Sequence, residues 1–527
     1  MTQATDDDAS AGDAWLVAGI VFASLTEAIT GTLLALGRSD IMGDIHATPD
    51  EFAWLDVCYI AMKLTGFALT PWLLTRIDSR GVLLAATASM GLAAALAAFA
   101  ARLDLLVALR LVQGLAGAIV LVSGQAILFW RFAPKRQPVV QAIFAMGAVV
   151  APATLAPMLQ GWLIDTHNWS WIFLLVLPLA LAAIGFMLLA APAHLPALDQ
   201  RALDGLGLGA LMIALFGSTW LLSQGSRWDW LEEPRVATVL AFVLVAFLFV
   251  ADRQRRARAP LLDLALFRID DFTFAFVVSF VAGAALFGSA FLIPAFALSV
   301  LGVTPTEAGA LLLPSGAVFA ATLFGAALLM QFRRLPPVTT VPLGILSVMI
   351  AMWMLAGSTI ESGASDMMAP LLLRGFGLGC LFLSITLIAF SRLEPSHLAL
   401  GIGIFNIGRQ LGGLIGVAGL QTLIDHQSAM NRTILGAALT PGSQSVADRI
   451  GEYSALLVGR GMDPAPAAAA ARALLARSLG AQGNVIAFNT AFNSVALLFI
   501  AAVPVIVVVK VMLARKATQR LAAGPIS

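Results

Sequence analysis

Residues 131–147 read RFAPKRQPVVQAIFAMG and residues 392–408 read RLEPSHLALGIGIFNIG. Arg131, Pro134, Phe144 and Gly147 recur at Arg392, Pro395, Phe405 and Gly408, each displaced by 261 residues. In both stretches a polar loop runs through a proline into an apolar segment. Proline is welcome in the first turn of a helix, where its missing N–H costs nothing. Each stretch therefore reads as a loop entering a buried or membrane helix. A displacement near half of the 527 residues predicts a chain built as two related halves.

Composition decides between a buried core and a bilayer. The chain is 60% hydrophobic and 12% charged, with a mean hydropathy of +0.91. Soluble domains stand near 45–50% apolar and about a quarter charged, so lipid is the expected solvent. About 20 apolar residues span a bilayer core, and fourteen such segments begin near residues 14, 54, 82, 104, 138, 170, 204, 236, 274, 307, 337, 368, 398 and 485. Basic residues then orient them. One set of loops and the C-terminal tail hold eighteen Lys and Arg, among them Arg76, Arg80, Arg131, Lys135, Arg253 and Arg333; the opposite short loops hold Arg38, Arg102, Arg227 and Arg235. A Lys/Arg excess marks the cytoplasmic face, which predicts both termini inside. The acidic start MTQATDDDAS lacks a basic n-region and predicts no cleaved signal peptide. A net charge of +1 gives no footprint for nucleic acid. The five scattered histidines and two cysteines suggest neither a metal site nor a disulfide framework, and no cofactor is expected.

Several further motifs resemble the major facilitator superfamily. LRLVQGLAGA (109–118) is similar to its fourth-span Arg–Gln–Gly motif, and APMLQGWLID (156–165) to its fifth-span antiporter motif. HNWSWIFLLVLPLA (167–180), RWDW (227–230), PLLDLALFRIDDFTFA (260–275) and GRQLGGLIGVA (408–418) resemble the fourteen-span drug–proton antiporters of the EmrB/QacA type. The resemblance runs over essentially the whole chain. It implies an all-α integral membrane protein of major facilitator fold, with two six-helix bundles and two extra helices. The boundaries read as 1–200 for the first bundle, 201–258 for the additional pair and 259–527 for the second bundle, with an extracytoplasmic hairpin at about 425–484. Departures exist. The loop PWLLTRIDSRG (71–81), which the resemblance makes a conformational loop through Arg76, Asp78 and Arg80, has Pro71 and Asp78 where the family has glycines. The antiporter motif has Ala156 and Gln160 in place of two glycines, and TEAITGT stands for the family's first-span pattern.

Glu27 is the one charge between Trp15 and Leu36. Counting 1.5 Å per residue puts it about 12 Å below the outer edge of the core, Arg110 about 8 Å and Lys63 about 15 Å. Charges at such depth face an interior or a watery cavity and pair. Two readings of a Glu27–Arg110 pair stand side by side: an ion pair that docks helices, or a proton carrier whose affinity changes with its distance from the arginine. The second carries more weight, and the resemblance implies a relay at Arg110. Asp56 reads as a solvated helix-start residue. Arg374 and Arg409 lie about 10 and 14 Å deep with no acid on their own spans; they bond polar neighbours such as Asn406, meet Glu27 across the cavity, or receive an anionic group of a substrate. Lys63, Gln113, Arg374, Asn406 and Arg409 are thus the candidate cavity residues. Gly147, Pro152, Ala156, Pro157 and Gly161 form the candidate hinge surface of the fifth span.

The expected function is proton-coupled antiport of lipophilic or amphipathic small molecules out of the cell, from the inner (plasma) membrane. The alternatives are a dedicated exporter of one endogenous metabolite and a non-transporting membrane scaffold. No phosphate loop, nucleophile elbow or paired carboxylates point to an enzyme. Between the last two spans, SQSVADRIGEYSALLVGR and DPAPAAAAARALLARSLG read as two amphipathic helices, with Gly461 and Gly480 as stops. They serve either as a lid over the outer mouth or, as resemblance to EmrB-type pumps implies, as a dock for a periplasmic adaptor leading to an outer-membrane channel.

Overall fold

The computed structural model describes residues 11–34, 37–190, 202–257, 260–437 and 443–522. Fourteen of its helices are long and apolar enough to cross a membrane. Helix is what a lipid-exposed chain must form, because it satisfies every backbone N–H and C=O within the segment. The first six are α1 (Ala11–Thr32), α2 (Pro49–Leu74), α3 (Ser79–Ala97), α4 (Leu103–Arg131), α5 (Gln137–Thr166) and α6 (Ser170–Leu189). An additional pair follows, α7 (Gly205–Gln224) and α8 (Pro234–Arg256). The last six are α9 (Asp270–Leu301), α10 (Pro305–Phe332), α11 (Pro337–Leu355), α12 (Ala364–Phe390), α13 (Pro395–Ala437) and α14 (Pro464–Ala522). Short helices at Arg38–Asp44 and Gln444–Gly459 lie outside this set. We call the end of the bundle where α1 begins the near end, and the opposite one the far end.

Polar residues in the loops start these helices. Thr48 and Glu51 form a capping box on α2, and Thr304 and Glu307 form one on α10. Asp78 accepts from the Gly81 N–H at 3.0 Å and caps α3. Asp204 caps α7 through the Gly207 N–H and also receives Arg253 Nε at 3.1 Å, and these bonds hold its carboxyl below the usual range. Arg80 donates to the carbonyls of Met187, Leu188 and Ala190, closing the end of α6. The loop residues Asp78 and Arg80 therefore have local architectural partners. Arg76 lies with its guanidinium 6.0 Å from the centre of the Trp72 ring.

Equivalent packing recurs in the two sets of six. Helix α2 packs along α4 as α10 does along α12, and α1 meets α6 as α9 meets α14. At the near end Arg131 reaches Asp13 on α1 at 2.8 Å, and Arg392 reaches Asp271 on α9 at 2.9 Å. Gly114 lets α4 lie on the carbonyl of Tyr59, while Gly375, again 261 residues on, lets α12 lie on the carbonyl of Ser315. In the register of this second pair position 374 answers to Gln113, one turn from Arg110, so the two buried arginines stand three residues apart in the repeat.

The two sets meet along α2–α13 and α5–α10. Helix α7 lies against α2 and touches α13, with α8 packed on α7; α8 leaves Phe242, Leu244, Val245 and Leu248 exposed, as suits a helix facing lipid. At the near end the seam is closed. Phe129 and Phe390 meet edge to face with ring centres 5.5 Å apart, Trp130 Nε1 donates to the Pro395 carbonyl at 3.2 Å, and Gly403 rests on the carbonyl of Phe67. At the far end α5 still touches α10, through Gly161 against the Pro305 carbonyl and Asp165 against Thr306.

The final spans differ from the expected pattern. Helix α13 runs unbroken for 43 residues, about 64 Å against a hydrocarbon core of about 30 Å, and α14 passes straight through Gly480. The expected second hairpin helix and the last span are one element. Gly480 costs the helix about 1 kcal/mol relative to alanine, and packing between α13 and α14 outweighs it. Asn431 Nδ2 donates to the Gly483 carbonyl and Arg432 Nη2 to Asn484 Oδ1, both at 3.2 Å. Gly461, at φ 94°, does end the helix Gln444–Gly459, as a left-handed residue past a helix end should.

A buried charge cluster and a pocket between the two sets of spans

The C-terminal turn of α1 organises the first site. A helix leaves its last four carbonyls without internal partners, and α1 ends at Thr32 among other spans. Arg110 Nη1 donates to the Thr30 carbonyl at 2.9 Å, and Gln160 Nε2 to that of Ile29 at 2.9 Å and to Thr32 Oγ1 at 3.0 Å. A cation is also the favoured partner for the negative end of a helix. Arg110 Nε bonds the Leu55 carbonyl of α2 at 3.2 Å, and Gln113 Oε1 receives Nη1 at 3.3 Å. Arg110 is thereby fixed to backbone on two neighbouring helices. Gln113 holds it in place and is fully buried.

Glu27 is bonded to α2. Its Oε1 accepts from Lys63 Nζ in an ion pair and from Tyr59 Oη at 3.1 Å. The Arg110 guanidinium lies 4.0 Å from the centre of the Tyr59 ring, in a cation–π contact. Asp56 Oδ1 comes within 3.8 Å of Arg110 Nη2, with its side chain 44% exposed. A ladder results, from the open Asp56 through Arg110 and Tyr59 to the buried Glu27 and Lys63. The expected direct Glu27–Arg110 pair is replaced by this ladder, because Arg110 is already engaged by helix carbonyls. Asp56, expected to be merely solvated, belongs to the cluster.

Arg374 is fully buried in the second set, with Nε donating to Ser289 Oγ at 2.8 Å and Nη1 to Ser315 Oγ at 3.4 Å. Arg409 Nη2 donates to Asn406 Oδ1 at 2.5 Å, and Asn406 Nδ2 to the Ile402 carbonyl at 2.8 Å. These last two residues line a small pocket between the two sets of spans, together with Gln125, Gln141, Phe144 and Phe382. Its volume is about 20 Å³, room for little more than a water. Of the expected cavity residues, Asn406 and Arg409 line the pocket, whereas Lys63, Gln113 and Arg374 bond within their own sets.

The hinge candidates line the seams of α5. Its centre, Met146–Leu155, is π-helical and contains Pro152. Proline removes a backbone bond from a helix, and a π segment is one way to absorb the defect. Gly147 sits 2.8 Å, as measured to an added Cβ, from the Val21 carbonyl of α1. Ala156 and Pro157 are buried, and Gly161 meets α10.

Tyr59, Gln125, Gln141 and Phe382 were not singled out from the sequence, and Phe144 was marked there only as a repeated position. Tyr59 had a usable signal, as one of two tyrosines in the chain, one turn from both Asp56 and Lys63. Gln125, Gln141 and Phe382 had none among so many similar residues.

The sequence comparison shows the family, and the structure comparison agrees in fold. Residues 16–417 match the family model of the Major Facilitator Superfamily. The chain is 24% identical over 451 residues to the colistin resistance protein EmrB of Acinetobacter baumannii, covering 84% of this chain and 86% of that one. It is 26% identical over 424 residues to the multidrug export protein EmrB of Escherichia coli K12, covering 80% and 81%. Its fold resembles the human organic anion transporter MFSD10 with a TM-score of 0.55 at 14% identity, covering 92% of this chain and 99% of that one. Fourteen membrane-crossing helices, a repeated six-helix packing and a match over most of its length place this chain in the Major Facilitator Superfamily.

Proposed function

We propose that this protein exports lipophilic or amphipathic small molecules in exchange for protons, by alternating access between two six-helix halves. The observation that carries the reading is the Glu27–Lys63–Tyr59 cluster, a titratable group buried beside the seam where the halves must move. Similarity to a protein named for multidrug export supports the direction and substrate range. The loop-charge asymmetry supports a near end in the cytoplasm and a place in the inner (plasma) membrane.

The cluster couples the proton to movement. Protonating Glu27 removes the counter-charge of Lys63, and an uncompensated cation in a dry site costs several kcal/mol. Opening the site to water relieves that cost. Proton uptake on Glu27 therefore favours a conformation other than this one, and return to this one favours release. The hinge residues of α5, Gly147, Pro152, Ala156, Pro157 and Gly161, serve as the surface on which the halves tilt. Substrate occupies an enlarged form of the pocket at Asn406 and Arg409, walled by Phe144 and Phe382. The charge that Arg409 brings there favours compounds carrying an acidic group.

Glu27→Gln tests this. Glutamine keeps shape and hydrogen bonding but cannot titrate. Efflux driven by a pH gradient in everted vesicles should fall to background while the protein inserts and folds. Unchanged gradient-driven transport would remove Glu27 from the proton pathway.

A further inference from the structure

The turn between α7 and α8, which carries the sequence RWDW, reaches to both halves at once. Arg227 Nε pairs with Asp50 at the start of α2, at 2.7 Å. On the other side, Ser226 Oγ donates to Asp425 Oδ2 of α13 at 2.7 Å, and Trp230 Nε1 to Thr422 Oγ1 of α13 at 3.1 Å. Gln421 steadies Asp425 from its own helix at 2.9 Å. The turn itself is tightly built. Trp230 N–H donates to the Gly225 carbonyl at 2.8 Å, and the Trp230 ring lies over Gly225, where an added Cβ would stand 2.6 Å from it. Asp229 and Trp230 both have left-handed backbone, at φ 48° and 53°. Two successive non-glycine residues in that region are costly and persist only where surroundings impose them.

We propose that this turn is a wedge between the far ends of α2 and α13 that holds the transporter in the conformation closed at the near end. Along the same seam, the near end is pressed shut by Gly403 against Phe67. When rigid halves tilt so that the near end opens, the far ends of α2 and α13 approach each other. The turn occupies the space between them and is bonded to both. Tilting must break the Arg227–Asp50 pair or the α13 contacts and expel Trp230. The additional helices thus take part in setting which side the central pocket faces. Helix α7 anchors the wedge by packing on both α2 and α13.

The proposal rests on the alternating-access reading, and it is tested by a measurement that needs neither substrate nor a proton gradient. Spin labels at Lys135 and Ser396, exposed positions on either side of the near end, report its opening as a distance. In the parent a short-distance population should dominate. Asp50→Asn, Arg227→Ala and Trp230→Phe, the last removing one N–H donor, should each enlarge the long-distance population about twofold to fivefold, the range of a half-exposed pair. Exchanging the charges, Asp50→Arg with Arg227→Asp, should restore the parent distribution. A reducible thiol cross-linker joining Ser226→Cys to Asp425→Cys, in a background lacking Cys58 and Cys380, should hold the short distance until it is reduced. Distributions unchanged in all three single variants would overturn the wedge. So would a shift that the charge exchange fails to reverse, because it would reduce the turn to a tie that seats α7 and α8. A protein that passed these tests and exported nothing would fail only the transport reading.

Discussion

Glu27 shares one oxygen between an ammonium and a phenol, and the phenol is stacked under a guanidinium. Tyr59 touches both the carboxylate and Arg110, so it transmits the position of α4 to Glu27. Tyr59→Phe keeps the ring, its packing and the cation–π contact but removes the donor to Glu27. A hydrogen bond to a charged group contributes about 1.5–3 kcal/mol. We expect the variant to fold and insert as the parent does and to slow gradient-driven transport by about tenfold. An unchanged rate would mean that Tyr59 serves packing alone. The sequence exposes which residues are charged and how deep they lie, because helical rise converts number into depth. It does not expose which side of a helix each one faces relative to its neighbours. Glu27, Lys63 and Arg110 were therefore legible as a group. Their partners were not, since Arg110 answers to carbonyls freed where α1 stops, and no residue in the sequence marks that stop.

Helices here meet through glycines, and two of these have opposite physical roles. At Gly403 an added Cβ would collide with the Phe67 carbonyl, backbone that cannot swing aside. At Gly480 it would meet nothing within 4 Å. Gly480→Ala should stabilise the protein by up to about 1 kcal/mol through helix propensity, seen as a higher unfolding temperature in detergent with transport intact. Gly403→Ala should part α2 from α13 at the near end and impair transport several-fold even where the protein still folds. Equal behaviour of the two variants would deny that Gly403 forms a contact surface between the halves. This contrast also marks the limit of reading spans by composition. Glycine after an amphipathic run usually signals a stop, and did so at Gly461, where nothing packs across the break. At Gly480 the partner helix α13 was decisive, and that partner lies some fifty residues earlier in the chain.

Across the whole molecule, the span count and the paired halves follow from apolar length and the 261-residue repeat, but the closed near end does not. Two conformations of one transporter share a sequence, so which one is seen depends on small contacts such as Phe129–Phe390 and the α7–α8 turn. The projection at the far end is the other feature of this scale. Antiparallel α13 and α14 are in register where Asn431 meets Gly483, so residue 437 stands level with about residue 477. The helix Gln444–Gly459 rides on α14, with Leu456 and Val458 exposed and no residue fully buried, while Met430 and Ile434 add apolar surface on α13. A lid would be expected to bury its apolar stripe on the mouth it covers. Here the apolar stripe stays open instead, and we propose on that ground that the projection serves as a dock for an adaptor that leads substrate past an outer membrane. Removal must respect the continuous helix: excising 442–480 would leave α13 and α14 ending at unequal heights. Deleting 438–476 and joining the level ends with a four-residue Gly/Ser linker preserves the stem below. Gradient-driven transport in everted vesicles should then stay within about twofold of the parent, because the membrane core and the Glu27 cluster are untouched. Resistance of whole cells with two membranes should be lost, together with co-purification of an adaptor. If vesicle transport collapses in a correctly inserted deletion protein, the projection belongs to the transporter's own gate, and the exit route must be sought elsewhere on the far end.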